Sequence, residues 1–254
     1  MDGSRSDWSL ATDQIDANRL VTFVEERTEH RVGHYFENLI HFWLKHIRGV
    51  EIIAHRQPVR DEERTLGELD FVFRDEAGRL NHWEVAVKFY LQTTSNDGHP
   101  KYLGPNTNDS LERKLERMRN HQLPLSGRIY NDVEIRQAFV KGWLFQPTGI
   151  DLALDVEMLN PGHLRGGWMH AGEIDGKGGF DGRAQAFSVM KKPFWLTPER
   201  PYRSMDEFAD CVRDHFAKRT TAMHVALFDE AGEETRRLFV VPDGWPHVND
   251  RRVG

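Results

Sequence analysis

The stretch from Gly67 to Gln92 constrains the chain most, because two alternating apolar patterns flank a short turn. Leu69, Phe71 and Phe73 alternate with Glu68, Asp70 and Val72, the period of a strand. From Trp83 to Leu91, Val85, Val87, Phe89 and Leu91 alternate in the same way with Glu84, Ala86, Lys88 and Tyr90. Asp75-Glu76-Ala77-Gly78-Arg79 lies between them and is turn-like, so the spacing predicts a hairpin centred near Ala77. That centre sets Asp70 opposite Glu84 and Glu68 opposite Ala86. Directly opposed Cβ atoms lie ~5 Å apart, so two carboxylates there share one divalent cation or repel each other. A solvated hairpin face is the other reading of the same pattern.

Charge and cysteine usage narrow the classes. Across 254 residues the formal net charge is -6. With a pI near 6.1 this argues against a protein that coats nucleic acid through bulk positive charge. A local basic surface stays compatible with it. One cysteine, Cys211, forms no intramolecular disulfide and no thiolate zinc cluster, which fits a reducing, cytoplasmic setting. Met1 to Asp7 lacks the basic and apolar blocks of a secretion signal, and no 18-residue apolar run is present, so a membrane partner is not expected. The histidines form no convincing ligand set; His30 and His34 are four apart on a helix but have no evident third ligand.

Around the hairpin, a short helix is expected over Asp13 to Glu26 and a stronger one over Arg31 to Ile47, with Phe36, Ile40, Trp43, Leu44 and Ile47 as its stripe. Glu37 falls partly on the inward side, where a carboxylate needs a cation, a basic partner or ordered water. Gly49 ends this helix, and Val50 to His55 reads as a short strand. Thr93 to Asn108 reads as a long loop, and such loops beside a candidate site are often functional. Asp109-x-x-Glu112 has capping-box spacing for a helix whose core side is Leu111, Leu115 and Met118. Arg113, Lys114, Arg117 and Arg119 give that helix a basic flank, either a solvated face or a phosphate contact.

Later elements are less periodic. Strands are expected at Ile135 to Gln146 and Ala184 to Leu196, and a strand-like patch at Trp168. Gly172 to Asp175 echoes Gly67 to Asp70 but reads as a turn, with Gly176-Lys177-Gly178-Gly179 after it. Ser204-x-x-Glu207 opens a helix running to about Arg219, and Met223 to Phe228 with Arg236 to Val241 form a final hairpin. No linker divides the chain. The expectation is one extended α/β domain over residues 1–254, with a core at about 28–146 and an α/β extension at about 147–254.

Glu37 on a helix, followed by Asp70 and Glu84 on neighbouring strands with Lys88 nearby, resembles the restriction-endonuclease-like superfamily of PD-(D/E)xK nucleases. Gly67-Glu68-Leu69-Asp70 looks especially like the resolvase and DNA-repair branch. The resemblance covers about residues 31 to 122. It departs from the pattern at Ala86, where the usual Lys follows the second acid by two, and at Leu69, where a Pro sometimes stands. Lys88 lies two residues further along the same strand face, roughly 6 to 7 Å away by strand rise. A wider resemblance rests on His82 to Leu91, Leu103-Gly104-Pro105-Asn106 with Asp109, Leu111 and Lys114, Gln122-Leu123, Val241-Pro242 and Trp245-Pro246. These blocks are similar to a bacterial family known as domain of unknown function 1853.

The superfamily resemblance implies a mixed central sheet flanked by helices. It also implies a phosphodiesterase using Mg²⁺ or Mn²⁺ held by Asp70 and Glu84, with Glu37 directly or through water and the Val85 carbonyl as a backbone ligand. Lys88 would position the attacking water or offset charge on phosphate oxygens. Gln92, Arg113, Lys114 and Arg117 are the expected phosphate contacts, on nucleic acid that is DNA rather than RNA. With Ala86 at the lysine position, the rival expectation is a nuclease-like fold kept as a nucleic-acid-binding or protein-assembly module.

Overall fold

A helix stripe followed by a strand meander requires a layer of helix on sheet, since each element has one face to bury. The computed structural model describes residues 15–27, 30–62, 64–95, 97–150, 160, 162–174 and 183–246. The chain divides into two compact units, each made from two segments: Met1–Val87 with Arg117–Val140, and Lys88–Glu116 with Lys141–Gly254.

In the first unit, α1 (Ala17–Glu25) is capped by Asp16, whose carboxylate accepts from the Asn18 and Arg19 amides. α2 (Val32–Phe42) continues into a π-helical turn, Trp43–Ile47. Gly49, at φ +64°, then turns the chain into β1 (Glu51–Asp61). This strand runs six residues beyond the expected end at His55, straight through Pro58. A missing N–H is tolerated there because, among the described residues, β1 ends the strand order and has β2 as its one strand neighbour.

β2 (Arg64–Arg74) and β3 (Leu80–Thr94) pair in the register expected of a turn centred at Ala77, with Phe71 opposite Trp83, Val72 opposite His82 and Phe73 opposite Asn81. The alternation in β2 is broken, however. Leu69 and Val72 share one cluster with Val59, Leu80 and Leu125, whereas Phe71 packs on His55 at 4.6 Å and His41 at 6.0 Å. On the partner strand, Arg56 carries φ +52° between the pairs His55–Phe71 and Gln57–Leu69. Both strands therefore kink at Arg56 and Asp70. The helical turns Met118–Gln122 and Leu123–Arg128 cover the Leu69 and Val72 face, while α2 covers the Phe71 and Trp83 face.

In the second unit, the rest of β3 pairs with β4 (Pro100–Leu103), and the part of β5 (Ile135–Pro147) from Lys141 onward leads into β6 (Leu164–His170), β7 (Ala186–Val189), β8 (Arg203–Ser204), β9 (Met223–Phe228) and β10 (Glu234–Val241). The strand path is β3-β5-β6-β10-β9-β7-β8. β6 is parallel to both β5 and β10, and the β10–β9, β9–β7 and β7–β8 pairs are antiparallel, so the sheet is mixed. α4 (Phe208–Lys218) buries Phe208 and Val212 on Val225, Leu227, Leu238 and Val240. Gly142, at φ +140°, lies so close to β3 that a Cβ would fall 1.7 Å from the Lys88 carbonyl oxygen. The class is α/β, a mixed sheet with flanking helices.

Several boundaries differ from expectation for local reasons. The segment from Thr93 to Asn108 contains β4, because Tyr102 and Leu103 are buried. The strand expected over Ala184 to Leu196 shortens to β7, ahead of Lys191-Lys192-Pro193. α3 (Leu111–Arg117) is capped by the Ser110 hydroxyl, which accepts from the Arg113 amide at 3.3 Å; Glu112 instead accepts from the Tyr102 amide. The turn at Gly172 is a short 3-10 helix, Ala171–Glu173, while Asp175 to Gly179 lies outside the described residues. No helix among the described residues is long and apolar enough to cross a membrane.

Candidate functional site

The kink in β2 decides what Asp70 can do. A strand residue at a break in alternation no longer projects squarely from either face, and the Asp70 Oδ2 accepts the Val85 amide of β3 at 2.7 Å. Asp70 thus reaches the residue that follows Glu84. Glu84 itself stays on the regular part of β3, on the face shared with Leu80 and His82.

Glu84 is fully buried, as is His82 two residues earlier on the same face. Its Oε1 is 2.9 Å from His82 Nε2, and its Oε2 accepts from the Gln122 side-chain amide. A buried carboxylate is stable only when its lone pairs are satisfied. Here a π-helical turn delivers the amide that satisfies one oxygen and the imidazole satisfies the other. His82 and Gln122 are the residues that sequence reasoning did not assign to the site. A histidine at i−2 on the strand face of Glu84 was the available signal for the first; only the fold brings in the second.

Glu37 lies elsewhere. On α2 it accepts from Arg56 Nε at 2.9 Å, while Arg56 also donates to the His34 carbonyl at 3.5 Å. Burial raises the Glu37 carboxyl above its ordinary range, and the Arg56 charge opposes that shift. Since α2 covers the Phe71 and Trp83 face and Gln122 the opposite one, Glu37 and Glu84 are on opposite sides of the hairpin. Among the described residues, no three His, Cys, Asp or Glu side chains are grouped to hold a metal ion. Mg²⁺ takes near-octahedral oxygen ligands. In this arrangement the acids Asp70, Glu84 and Glu37 do not supply such a set.

The remaining expected residues fall in the second unit, except Val85 and Arg117. Lys88 Nζ is 2.6 Å from Asp109 Oδ2, the same oxygen that accepts from the Tyr90 hydroxyl at 3.1 Å. Burial, with the Asp109 charge behind it, pushes the Tyr90 hydroxyl well above its usual range. Gln92 is a core residue: its side chain accepts from Gln146 at 3.1 Å, and its carbonyl accepts the Trp168 indole N–H at 2.8 Å. Arg113 donates to the Asn108 carbonyl at 3.3 Å, Lys114 is half-buried on α3, and Arg117 and Arg119 are exposed. Val85 is buried beside Glu84.

No curated protein and no solved structure matches the chain. The model of one family, described as a domain of unknown function, matches residues 3–241. The match spans both segments of the kinked hairpin unit and nearly all of the mixed-sheet unit, and on that coverage the chain belongs to the DUF1853 family.

Proposed function

We propose that this chain is a restriction-endonuclease-like protein that binds nucleic acid without cutting it. The observation carrying the reading is Glu84, fully buried with both carboxylate oxygens engaged by His82 and Gln122. A metal ligand must offer a lone pair to the ion, and withdrawing this carboxylate would take from the fully buried His82 imidazole its partner at Nε2. Lys88, the amine that phosphodiester chemistry would draw on, is paired with Asp109. The exposed guanidinium groups of Arg113, Arg117 and Arg119 suit backbone phosphates, which hold nucleic acid without reading its sequence.

A Mg²⁺- or Mn²⁺-dependent nuclease is the second reading. It is favoured by the contact of Asp70 with the Val85 amide, which keeps the first acid within one residue of the second. One experiment separates the two. Labelled single-stranded and duplex DNA and RNA are mixed with the protein in Mn²⁺, and binding is read by anisotropy beside cleavage on a gel. Salt-sensitive binding with intact substrate supports the binding module. Cleavage that disappears in Asp70→Ala establishes the nuclease, and absence of both binding and cleavage removes both readings.

A further inference from the structure

In the second unit, the segment 190–202 between β7 and β8 carries neither helix nor strand, yet it covers buried rings. The ring centroid of its Trp195 lies 5.3 Å from that of Phe89 on β3, 5.1 Å from His224 on β9 and 5.4 Å from Phe239 on β10. A strap of this kind has no ladder of its own, so side chains must hold it down. Arg237 of β10, itself buried, donates to the Trp195 carbonyl at 2.8 Å and to the Leu196 carbonyl at 2.9 Å, while Glu234 accepts from its Nε at 2.7 Å. The Trp195 indole N–H donates to the Met190 carbonyl at 3.1 Å, and the Met190 amide donates to the His224 carbonyl at 2.8 Å.

Beneath Trp195 lies a titratable group. His224 is 1% exposed and is walled by Phe89, Phe145, Trp195 and Phe239, the last stacked on it at 4.4 Å. Neither of its ring nitrogens has a partner among the described residues. An imidazole so enclosed is tolerated only when neutral, since ring faces attract a cation less than water does. Burial, with the Arg237 charge added to it, pulls its pKa well below the ordinary value of 6.5. The other charged groups on the packed elements are engaged elsewhere: Lys88 of β3 with Asp109, Glu234 of β10 with Arg237, Lys191 and Glu199 with each other, and Lys192 with the Trp195 ring at 4.6 Å.

We propose that the strap 190–202 is a pH-operated cover with His224 as its trigger and Arg237 as its latch: a proton taken up by His224 lifts Trp195 away and leaves the strands in place. Three of the four ring walls sit on strands tied into the sheet. The fourth hangs from two carbonyl bonds to the same arginine that a charged imidazole would repel, so water reaches His224 at least cost by way of Trp195. The closed form excludes the proton and the open form accepts it at the ordinary value. Closure is therefore complete above 6.5 and weakens as pH falls below it, by up to ~10-fold per pH unit. Opening turns the faces of Phe89 and Phe239 toward solvent.

The test uses the full-length ¹⁵N-labelled protein and reads hydrogen exchange at the Trp195 indole N–H, assigned by its loss in Trp195→Phe, beside the amides of the β9–β10 hairpin. Each rate is divided by that of an unstructured chain at the same pH, so that protection alone is compared. From pH 6 to pH 5 the indole should lose ~10-fold of its protection while the hairpin keeps its own. His224→Phe, which keeps a ring in the box without a titrating nitrogen, should remove that loss, and His41→Phe with His55→Phe in the first unit should leave it. Indole protection that holds flat, hairpin protection that falls in step with it, a loss undiminished in His224→Phe or one abolished by the first-unit pair overturns the proposal. The first two of these outcomes are read on the wild-type protein and need no variant that folds.

Discussion

Asp70 and Glu84 show how far one residue's environment can part it from its neighbour. Their strands pair in the register that sets them across from each other, yet Asp70 bonds the backbone of β3 and Glu84 is enclosed by His82 and Gln122. Removing one partner of a buried charged group leaves the others desolvated and unmatched. Glu84→Ala is expected to cost ~3 kcal/mol or more, seen as a lower urea midpoint at pH 7 with an unchanged slope. A midpoint within error of wild type would mean that the carboxylate is not held as described. The sequence carried the acids plainly, since charged residues inside an apolar alternation are conspicuous. It could not carry their orientation, because the paired kink at Arg56 and Asp70 depends on a positive φ at a residue type that gives no advance sign of it.

At the scale of elements, the packing of α2 on β1 turns on two histidines. His41 and His55 meet with ring centroids 4.4 Å apart. Both are lowered to about 4, by burial first, then by Arg27 and Lys45 for His41 and by the His41 and Arg56 charges for His55. A histidine with a depressed folded pKa favours the unfolded chain as protons are added, because the unfolded chain binds them first. Stability from this layer is therefore complete above the ordinary histidine value of 6.5 and is lost as pH falls toward about 4. Urea midpoints measured at steps between those limits should fall in wild type and fall less in His41→Phe with His55→Phe. Equal slopes would separate the acid sensitivity from this pair. The hairpin, α2, α4 and the last two strands were legible from period and turn residues. β4 was not, because a short edge strand inside a Gly-, Pro- and Asn-rich stretch has too few alternating positions to stand out. Asp109 was misread as half of a capping box for a related reason: its spacing to Glu112 is right, but Lys88 and Tyr90 claim its carboxylate from another element.

For the whole molecule, the division into units does not follow the order of the chain. Each unit takes two segments, and β3 passes from the first to the second at Val87 and Lys88, as β5 does at Val140 and Lys141. A fragment ending at residue 146 would keep most of β5 and lose β6, against which Trp143, Leu144, Phe145 and Gln146 are paired. Such a fragment is expected to lack a cooperative thermal transition and to bind a hydrophobic dye, whereas residues 1–246 should melt sharply. Cooperative melting of the fragment would show that the first unit stands without the second. The interleaving also sets a schedule at the ribosome. Residues 88–116, with Phe89, Leu91, Tyr102 and Leu103, leave the exit tunnel long before the segment from 141 onward that completes their unit. At ~5–20 residues per second, that apolar ribbon must wait for several seconds unfinished, which makes the nascent chain, rather than the finished protein, the form most in need of a chaperone.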